Sequence, residues 1–340
     1  MHRCLELARQ GEGLTYPNPM VGSVIVHNGK IIGEGFHQKA GAPHAEVNAI
    51  SSVKKPELLK ESTLYVNLEP CAHYGKTSPC SLLIKQNQLK KVVIGCKDSF
   101  SEVSGKGIEI LKDAGIEVVI GVLEEESREL NRRFFTFHEK KRPYILLKWA
   151  QTADGFLDYN REAVKDNRPT WITNKQSLRL VHVWRSKEPS IIVGSVTALK
   201  DNPSLTVRSW SGKNPLRMVL DRKNCLPHHL ALFDGSAPTL LFTSTLIKDQ
   251  RAIEQIVIKD PNEPINTIMK VLFEKKVHSI IVEGGTKLLQ TFIDKGLWDE
   301  ARVFTGNKWF KDGVKAPKLM AEPIAQEWLG SCELLIYRNK

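Results

Sequence analysis

The sequence predicts two α/β domains in tandem, 1–141 and 142–340. Three observations carry that reading. Apolar runs of strand length alternate with helix-like stretches in both halves, a heavily charged segment over 124–141 interrupts the alternation, and 340 residues suffice for two domains that each bury a core.

In the first half, residues 21–26 and 30–33 read as strands, because Asn28-Gly29 between them is a dipeptide suited to the positive φ angles of a two-residue hairpin. A helix over 44–53 follows, then a strand over 63–68 and a helix from Cys80 through Leu82-Leu83-Ile84. A strand at 92–94, a helix near 108–114 and a strand at 118–120 complete the pattern. The segment 124–141 reads as a helix and connector ending before Arg142-Pro143. In the second half, apolar strands are expected at 144–148, 191–193, 218–220, 240–242, 256–258, 280–282 and 302–304. Helical stretches near 175–185, 265–275 and 286–295 lie between or beside them, which predicts a largely parallel sheet. The polar stretch 158–168 reads either as a surface loop near a site or as an unremarkable insertion.

Composition narrows the class. With 41% hydrophobic and 26% charged residues the chain is that of a soluble globular protein. No run of 18 apolar residues and no signal-peptide core occurs, so the expected location is cytoplasmic, without a membrane partner. Six cysteines in so long a chain make no disulfide framework; Cys4, Cys96, Cys225 and Cys332 are expected to be packing residues. The net charge of +11 falls unevenly, +2 on residues 1–141 and +9 on the rest. An excess of that size suits phosphorylated small molecules, nucleic acid or a solvated surface.

The chemistry is concentrated in His44-Ala45-Glu46, Pro70-Cys71 and Pro79-Cys80. One imidazole and two thiolates hold zinc tetrahedrally with an open corner that binds and acidifies a water, and a carboxylate that is not a ligand carries the proton to a departing amine. On a helix beginning at His44, Glu46 projects roughly 200° around the axis, so the metal can take His44 without capturing Glu46. Thiols near helix N-termini ionise readily, which favours both cysteines as ligands. Taken singly, His44 and each cysteine read as core residues; the ordered set reads as a zinc deaminase. The general deaminase signature has two residues between its cysteines. Here 72–79 intervene, including His73, Tyr74, Gly75 and Lys76.

In the second half, Ile280-Ile281-Val282-Glu283 runs into Gly284-Gly285-Thr286. Such glycines let backbone N–H groups approach a phosphate at a helix N-terminus, or serve the turn alone. No Gly-x-Gly-x-x-Gly is present, so a Rossmann fingerprint is not supported.

Together these residues resemble the bifunctional riboflavin-biosynthesis family that joins a pyrimidine deaminase to a pyrimidine reductase. The resemblance spans nearly the whole chain. It rests on Asn18-Pro19-Met20-Val21-Gly22, His44-Ala45-Glu46-Val47 and the stretch from Glu69 to Cys80 in the first half. In the second half it rests on Lys148 with Asp154-Gly155, Trp171-Ile172-Thr173, Asp201-Asn202-Pro203, Leu205-Thr206-Val207-Arg208 and Val282-Glu283-Gly284-Gly285. The long spacing between Cys71 and Cys80 is a feature of this family.

The resemblance implies a cytidine-deaminase-like three-layer domain followed by a dihydrofolate-reductase-like domain. It implies zinc held by His44, Cys71 and Cys80, with Glu46 as proton carrier and Asn18, His73 and Lys76 around a phosphorylated pyrimidine. The first reaction is then hydrolytic deamination, and the second is NADPH-dependent reduction of ribosyl to ribityl. NADPH would meet Ala150, Trp171, Thr197, Asp201 and the Gly285-Thr286-Lys287 turn; substrate would meet Arg185, Leu205, Arg208 and Glu283. Lys148 is the candidate for polarising the sugar. Two departures mark the second site: a longer loop after Asp154-Gly155, and Arg168-Pro169-Thr170 where small polar residues usually precede Trp171. The rival reading is a nucleic-acid base deaminase with an accessory binding domain, which the near-neutral charge of the zinc half disfavours. Homo-oligomer formation is left open.

Overall fold

The computed structural model describes residues 1–74, 78–99, 104–161, 170–246, 253–260 and 262–339. The chain divides into two compact units, Met1–Lys141 and Arg142–Lys340.

In the first unit the order is α1 (His2–Arg9), β1 (Gly22–His27), β2 (Lys30–Phe36), α2 (Ala45–Ser51), β3 (Thr63–Leu68), α3 (Cys80–Gln86), β4 (Lys91–Cys96), α4 (Lys106–Asp113), β5 (Glu117–Ile120), α5 (Glu124–Leu130) and α6 (Arg132–Lys140). The sheet runs β2-β1-β3-β4-β5, with β1 antiparallel to both neighbours and β3, β4 and β5 parallel. Asn28 and Gly29 take φ values of 49° and 73°, the double positive-φ turn that their sequence anticipates. Alternation along the strands splits the apolar side chains between two faces. Ile25, Leu64 and Ile94 pack with Ala49 of α2, Ile84 of α3 and Leu111 of α4. Opposite them, Val24 packs with Cys4 and Leu7 of α1, and at the ends of β3 and β4 Leu68 and Cys96 pack with Phe134 and Phe135 of α6. The result is the expected three-layer arrangement.

The second unit contains β6 (Tyr144–Gln151), β7 (Phe156–Asp158), α7 (Lys175–Lys187), β8 (Ser190–Gly194), α8 (Ser195–Asp201), β9 (Leu216–Leu220), β10 (Thr239–Thr243), β11 (Glu254–Val257), α9 (Pro264–Glu274), β12 (Ser279–Glu283), α10 (Thr286–Asp294), β13 (Glu300–Thr305), β14 (Val314–Lys315), β15 (Pro323–Leu329) and β16 (Cys332–Arg338). Nine strands form one sheet in the order β11-β10-β9-β8-β12-β6-β13-β16-β15. From β11 to β13 all pairs are parallel, and both faces carry helices, as a parallel sheet requires. Ile268, Leu272, Leu289 and Phe292 of α9 and α10 cover one face; Val181, Trp184 and Ala198 of α7 and α8 cover the other.

Three expectations need correction. His44 is the N-cap of α2, not a first-turn residue, because its backbone is extended (φ −71°, ψ 165°) and the helix begins at Ala45. The stretch 158–168 is not simply a surface loop: Asp158 ends β7, which pairs with β14, and Arg161 is buried against two carboxylates. Of that stretch, 162–168 lie outside the described residues, as does Pro169. Cys225 is exposed, unlike the buried Cys4, Cys96 and Cys332. The antiparallel β15–β16 hairpin at the sheet edge was not anticipated.

Candidate active sites

In the first unit, three elements deliver donors to one point. His44 caps α2, Cys71 lies just beyond β3, and Cys80 is the first residue of α3. His44 Nδ1 is 3.5 Å from Cys71 Sγ and 3.3 Å from Cys80 Sγ, and all three atoms lie within 4.8 Å of one another. A zinc tetrahedron with one nitrogen and two sulfur ligands has N···S edges of about 3.5 Å, so the donors fit zinc in kind and in spacing. Without metal the two thiols behave unequally. Hydrogen bonding from Cys80 and His44 draws Cys71 down to about 4, while that same bond and burial push Cys80 well up. Zinc takes cysteine as thiolate, so metal held between Cys71 and Cys80 would favour the deprotonated form of both.

Glu46 is buried beside this triangle, and burial together with the Cys71 charge pushes its carboxyl up to about 7. Asn18 donates from Nδ2 to His37 Nε2 at 3.0 Å, and His37 Nδ1 faces the Pro43 carbonyl at 3.1 Å. A carbonyl can only accept, so Nδ1 carries the proton and Nε2 accepts; the Asn18 amide is thereby oriented. His37 also meets His44 edge-on, with centroids 5.4 Å apart. Sequence reasoning missed His37, whose only signal was a second histidine shortly before His44. His73 is exposed, and Lys76 lies outside the described residues.

The Pro70-Cys71 turn is fixed by its neighbours. Glu69 is buried and its carboxylate accepts backbone N–H groups from Asp98, Gly105, Gly107 and Ile108. A Cβ on Gly107 would sit 2.0 Å from the Pro70 carbonyl oxygen. Alanine's better helix propensity is worth roughly 0.5–1 kcal/mol, less than the roughly 1–3 kcal/mol typical of overpacking. Gly107→Ala is expected to destabilise the protein by about 1–3 kcal/mol, read as a lowered Tm; an unchanged Tm would contradict this packing.

In the second unit, the C-terminal ends of parallel strands open onto a cavity of ≈ 610 Å³. That volume falls in the range of small-molecule and cofactor sites. Lys148 and Ala150 line it from β6, Glu283 from the end of β12, and Gly285 from the turn into α10. Arg185, Thr197 and Asp201 reach it from α7 and α8, with Trp171, Leu205 and Arg208 from loops. Thr286 and Lys287 do not line it, although Gly285 does. Thr286 Oγ1 donates to the Lys315 carbonyl and Lys287 is exposed on α10. Gly284 has φ +122°, and a Cβ there would meet Thr197 Oγ1 at 2.9 Å. The Gly285 N–H donates to the same hydroxyl at 2.9 Å, so the glycines bring the chain close to Thr197.

Charge in the cavity is arranged around Glu283, which binds Arg185 at 2.9 Å and lies 3.9 Å from Lys148 Nζ. Burial lowers the Lys148 pKa against the opposing pull of Glu283. The Glu283 carboxyl stays below its ordinary range: burial pushes it up, and Arg185 and Lys148 outweigh that. Arg161, missed in the sequence, donates to Asp201 at 2.5 Å and to the Lys200 carbonyl at 2.8 Å, tying the loop after β7 to the end of α8.

Residues 1–96 match the cytidine and deoxycytidylate deaminase zinc-binding region, and 143–310 match the RibD C-terminal domain. The riboflavin biosynthesis protein RibD of Aquifex aeolicus is 40% identical over 337 residues, 97% of this chain and 89% of that protein. The chain belongs to the RibD family. The RibD of Escherichia coli is 34% identical over 91% of this chain and 87% of its own length. A solved Thermotoga maritima enzyme, described as a diaminohydroxyphosphoribosylaminopyrimidine deaminase/5-amino-6-(5-phosphoribosylamino)uracil reductase, superposes with a TM-score of 0.88 at 37% identity, covering 100% of this chain and 97% of that one. Acinetobacter baumannii RibD superposes with a TM-score of 0.90 at 31% identity and the same coverage. As a RibD family member the chain pairs a zinc-binding deaminase unit with an NADPH-dependent reductase unit, the two fold classes the sequence predicted.

Proposed function

We propose that the first unit deaminates 2,5-diamino-6-(5-phosphoribosylamino)pyrimidin-4(3H)-one and that the second reduces the ribosyl group of the resulting 5-amino-6-(5-phosphoribosylamino)uracil to ribityl. The observation carrying this reading is that one chain holds both a His44/Cys71/Cys80 triangle with buried Glu46 and an arginine-bearing cavity around Lys148.

His44, Cys71 and Cys80 would hold zinc, which when bound supplies an acidified water. Glu46 takes the water proton and gives it to the ring nitrogen, then takes the proton of the new C–OH group and gives it to the amine, so that ammonia leaves and a carbonyl remains. Burial raises this carboxyl from its ordinary value, toward the range in which a group can both take and give a proton near neutral pH. Asn18, its Nδ2 committed to His37, offers its carbonyl oxygen to a donor on the ring edge. His73 and Lys76 complete the proposed pocket, Lys76 toward the phosphate.

NADPH, when bound, would supply a hydride for the anomeric carbon. Ala150, Trp171, Thr197, Asp201 and Gly285 line the cavity where it would bind, with Thr286 and Lys287 following on α10. Leu205 and Glu283 border the substrate, and Arg185 and Arg208 suit its phosphate through bidentate bonds. Lys148 gives its proton to the sugar ring oxygen as the ring opens; an ammonium already depressed by burial releases it more readily.

The partner is a small phosphorylated pyrimidine rather than nucleic acid, in keeping with a net charge of only +2 on residues 1–141. Among the described residues no helix is long and apolar enough to cross a membrane, and the reading places the enzyme in the cytoplasm. The edge strand β15 leaves Ile324 and Trp328 exposed, which supports a homo-oligomer. One assay tests the two activities together: supply the diaminopyrimidinone phosphate and NADPH, then follow ammonia and NADPH oxidation separately. Equal amounts of both are expected. Ammonia without oxidation would overturn the reductase half, and neither product would overturn the whole.

A further inference from the structure

We propose that His182 is a positioning residue of the reductase site, fixing the backbone of residues 206–208 so that Arg208 faces the cavity and receives the substrate phosphate beside Arg185. The proposal rests on the reductase reading above.

Helix α7 puts His182 and Arg185 three residues apart, on one face. Both are buried among the core side chains of that helix. The Arg208 N–H donates to His182 Nδ1 at 3.1 Å, and the Thr206 backbone lies close enough to the ring to raise its proton affinity slightly. Nδ1 is therefore committed as an acceptor to this short segment. For this the ring must be neutral, because an imidazolium carries a proton on Nδ1 and cannot accept. Burial, then the charges of Arg185 and Arg208, hold His182 down to about 4, which keeps it neutral at working pH.

The segment needs holding. Leu205 is buried in the left-handed region at φ 54°, a conformation that leucine rarely adopts unless its surroundings impose it. Val207 N–H donates to Asn214 Oδ1 at 2.8 Å, and the Ser204 and Thr206 hydroxyls meet at 3.1 Å. His182 secures the far end of this turn, where Arg208 leaves it. Among the described residues Arg208 has no ion-pair partner, whereas Arg185 has Glu283. Burial and the neighbouring Arg185 lower the Arg208 pKa, the signature of two guanidinium groups converging on one cavity. A phosphate dianion relieves that repulsion.

The test uses the full-length enzyme in its reductase reaction, with 5-amino-6-(5-phosphoribosylamino)uracil and with its dephosphorylated nucleoside. His182→Leu is expected to raise KM for the phosphorylated substrate roughly 10- to 100-fold, the cost of a misplaced charged hydrogen bond, with KM for the nucleoside within about twofold. His182→Asn, whose Oδ1 falls near the position of Nδ1, is expected to recover most of the loss. Should the leucine variant fail to fold, His182→Gln decides, since its acceptor is displaced by one bond and the same phosphate-dependent rise is expected. Equal KM increases for both substrates, or a lowered Tm with unchanged KM, would overturn the proposal and leave His182 a packing residue. Equal wild-type KM values for the two substrates would overturn it at Arg208. A wild-type enzyme that reduces neither would instead overturn the reductase reading.

Discussion

Glu46→Gln is expected to lower ammonia release by roughly 10²–10⁴-fold, the usual contribution of a positioned general acid-base, while leaving reduction of pre-deaminated substrate at the wild-type rate. Glutamine fills the same buried volume and can still hydrogen-bond, so the packing around α2 is retained. It cannot carry a proton. Because Glu46 is not one of the three donors, bound zinc measured by atomic absorption is expected to stay near one ion per chain. Ammonia release at the wild-type rate in a zinc-loaded variant would remove Glu46 from the mechanism. Loss of zinc together with loss of activity would make Glu46 part of the metal site instead.

Lys148→Met is expected to produce the mirror image: reductase kcat falls by roughly 10²–10³-fold, the range for removal of one group that stabilises developing charge, and deamination is unaffected. Methionine approximates the length and volume of the lysine stem. Removing the cation does not strand Glu283, which keeps its 2.9 Å bond to Arg185, so the cavity wall is expected to hold. NADPH affinity, read by fluorescence quenching, is expected to change by less than about tenfold, because the group acts on the sugar rather than the cofactor. Reduction at the wild-type rate in Lys148→Met would eliminate this role.

The two sites were unequally legible in the sequence, for a physical reason. In the first unit the donors sit at the starts of helices or just past a strand, and Pro79 and the run into Leu82-Leu83-Ile84 mark those positions locally. Zinc chemistry further restricts which residue types can serve. His37 escaped because its work is done through a neighbour: one ring nitrogen goes to the Pro43 carbonyl and the other to Asn18. In the second unit, Lys148, Thr197 and Glu283 become neighbours only because the sheet places β12 between β8 and β6. Apolar strand runs reveal the strands without revealing their order, so the pocket had to come from resemblance. Arg161 shows the limit most clearly. Its carboxylate partners are Asp158, three residues before it, and Asp201 at the end of α8, which only tertiary structure brings to it. The β15–β16 hairpin was hidden for another reason, since β15 is exposed almost throughout and carries no alternating pattern.

The position of β6 has a consequence for how the chain is made. Both of its edges are filled by strands that begin only at Ser279 and Glu300. A ribosome that has just released Tyr144–Gln151 has therefore exposed an apolar strand whose partners do not yet exist. The first unit, whose strand partners all lie within Met1–Lys141, can fold during that wait. Chains cut short before Glu300 leave one side of β6 bare, and the products of such truncations are expected to collect in inclusion bodies rather than as a smaller working reductase.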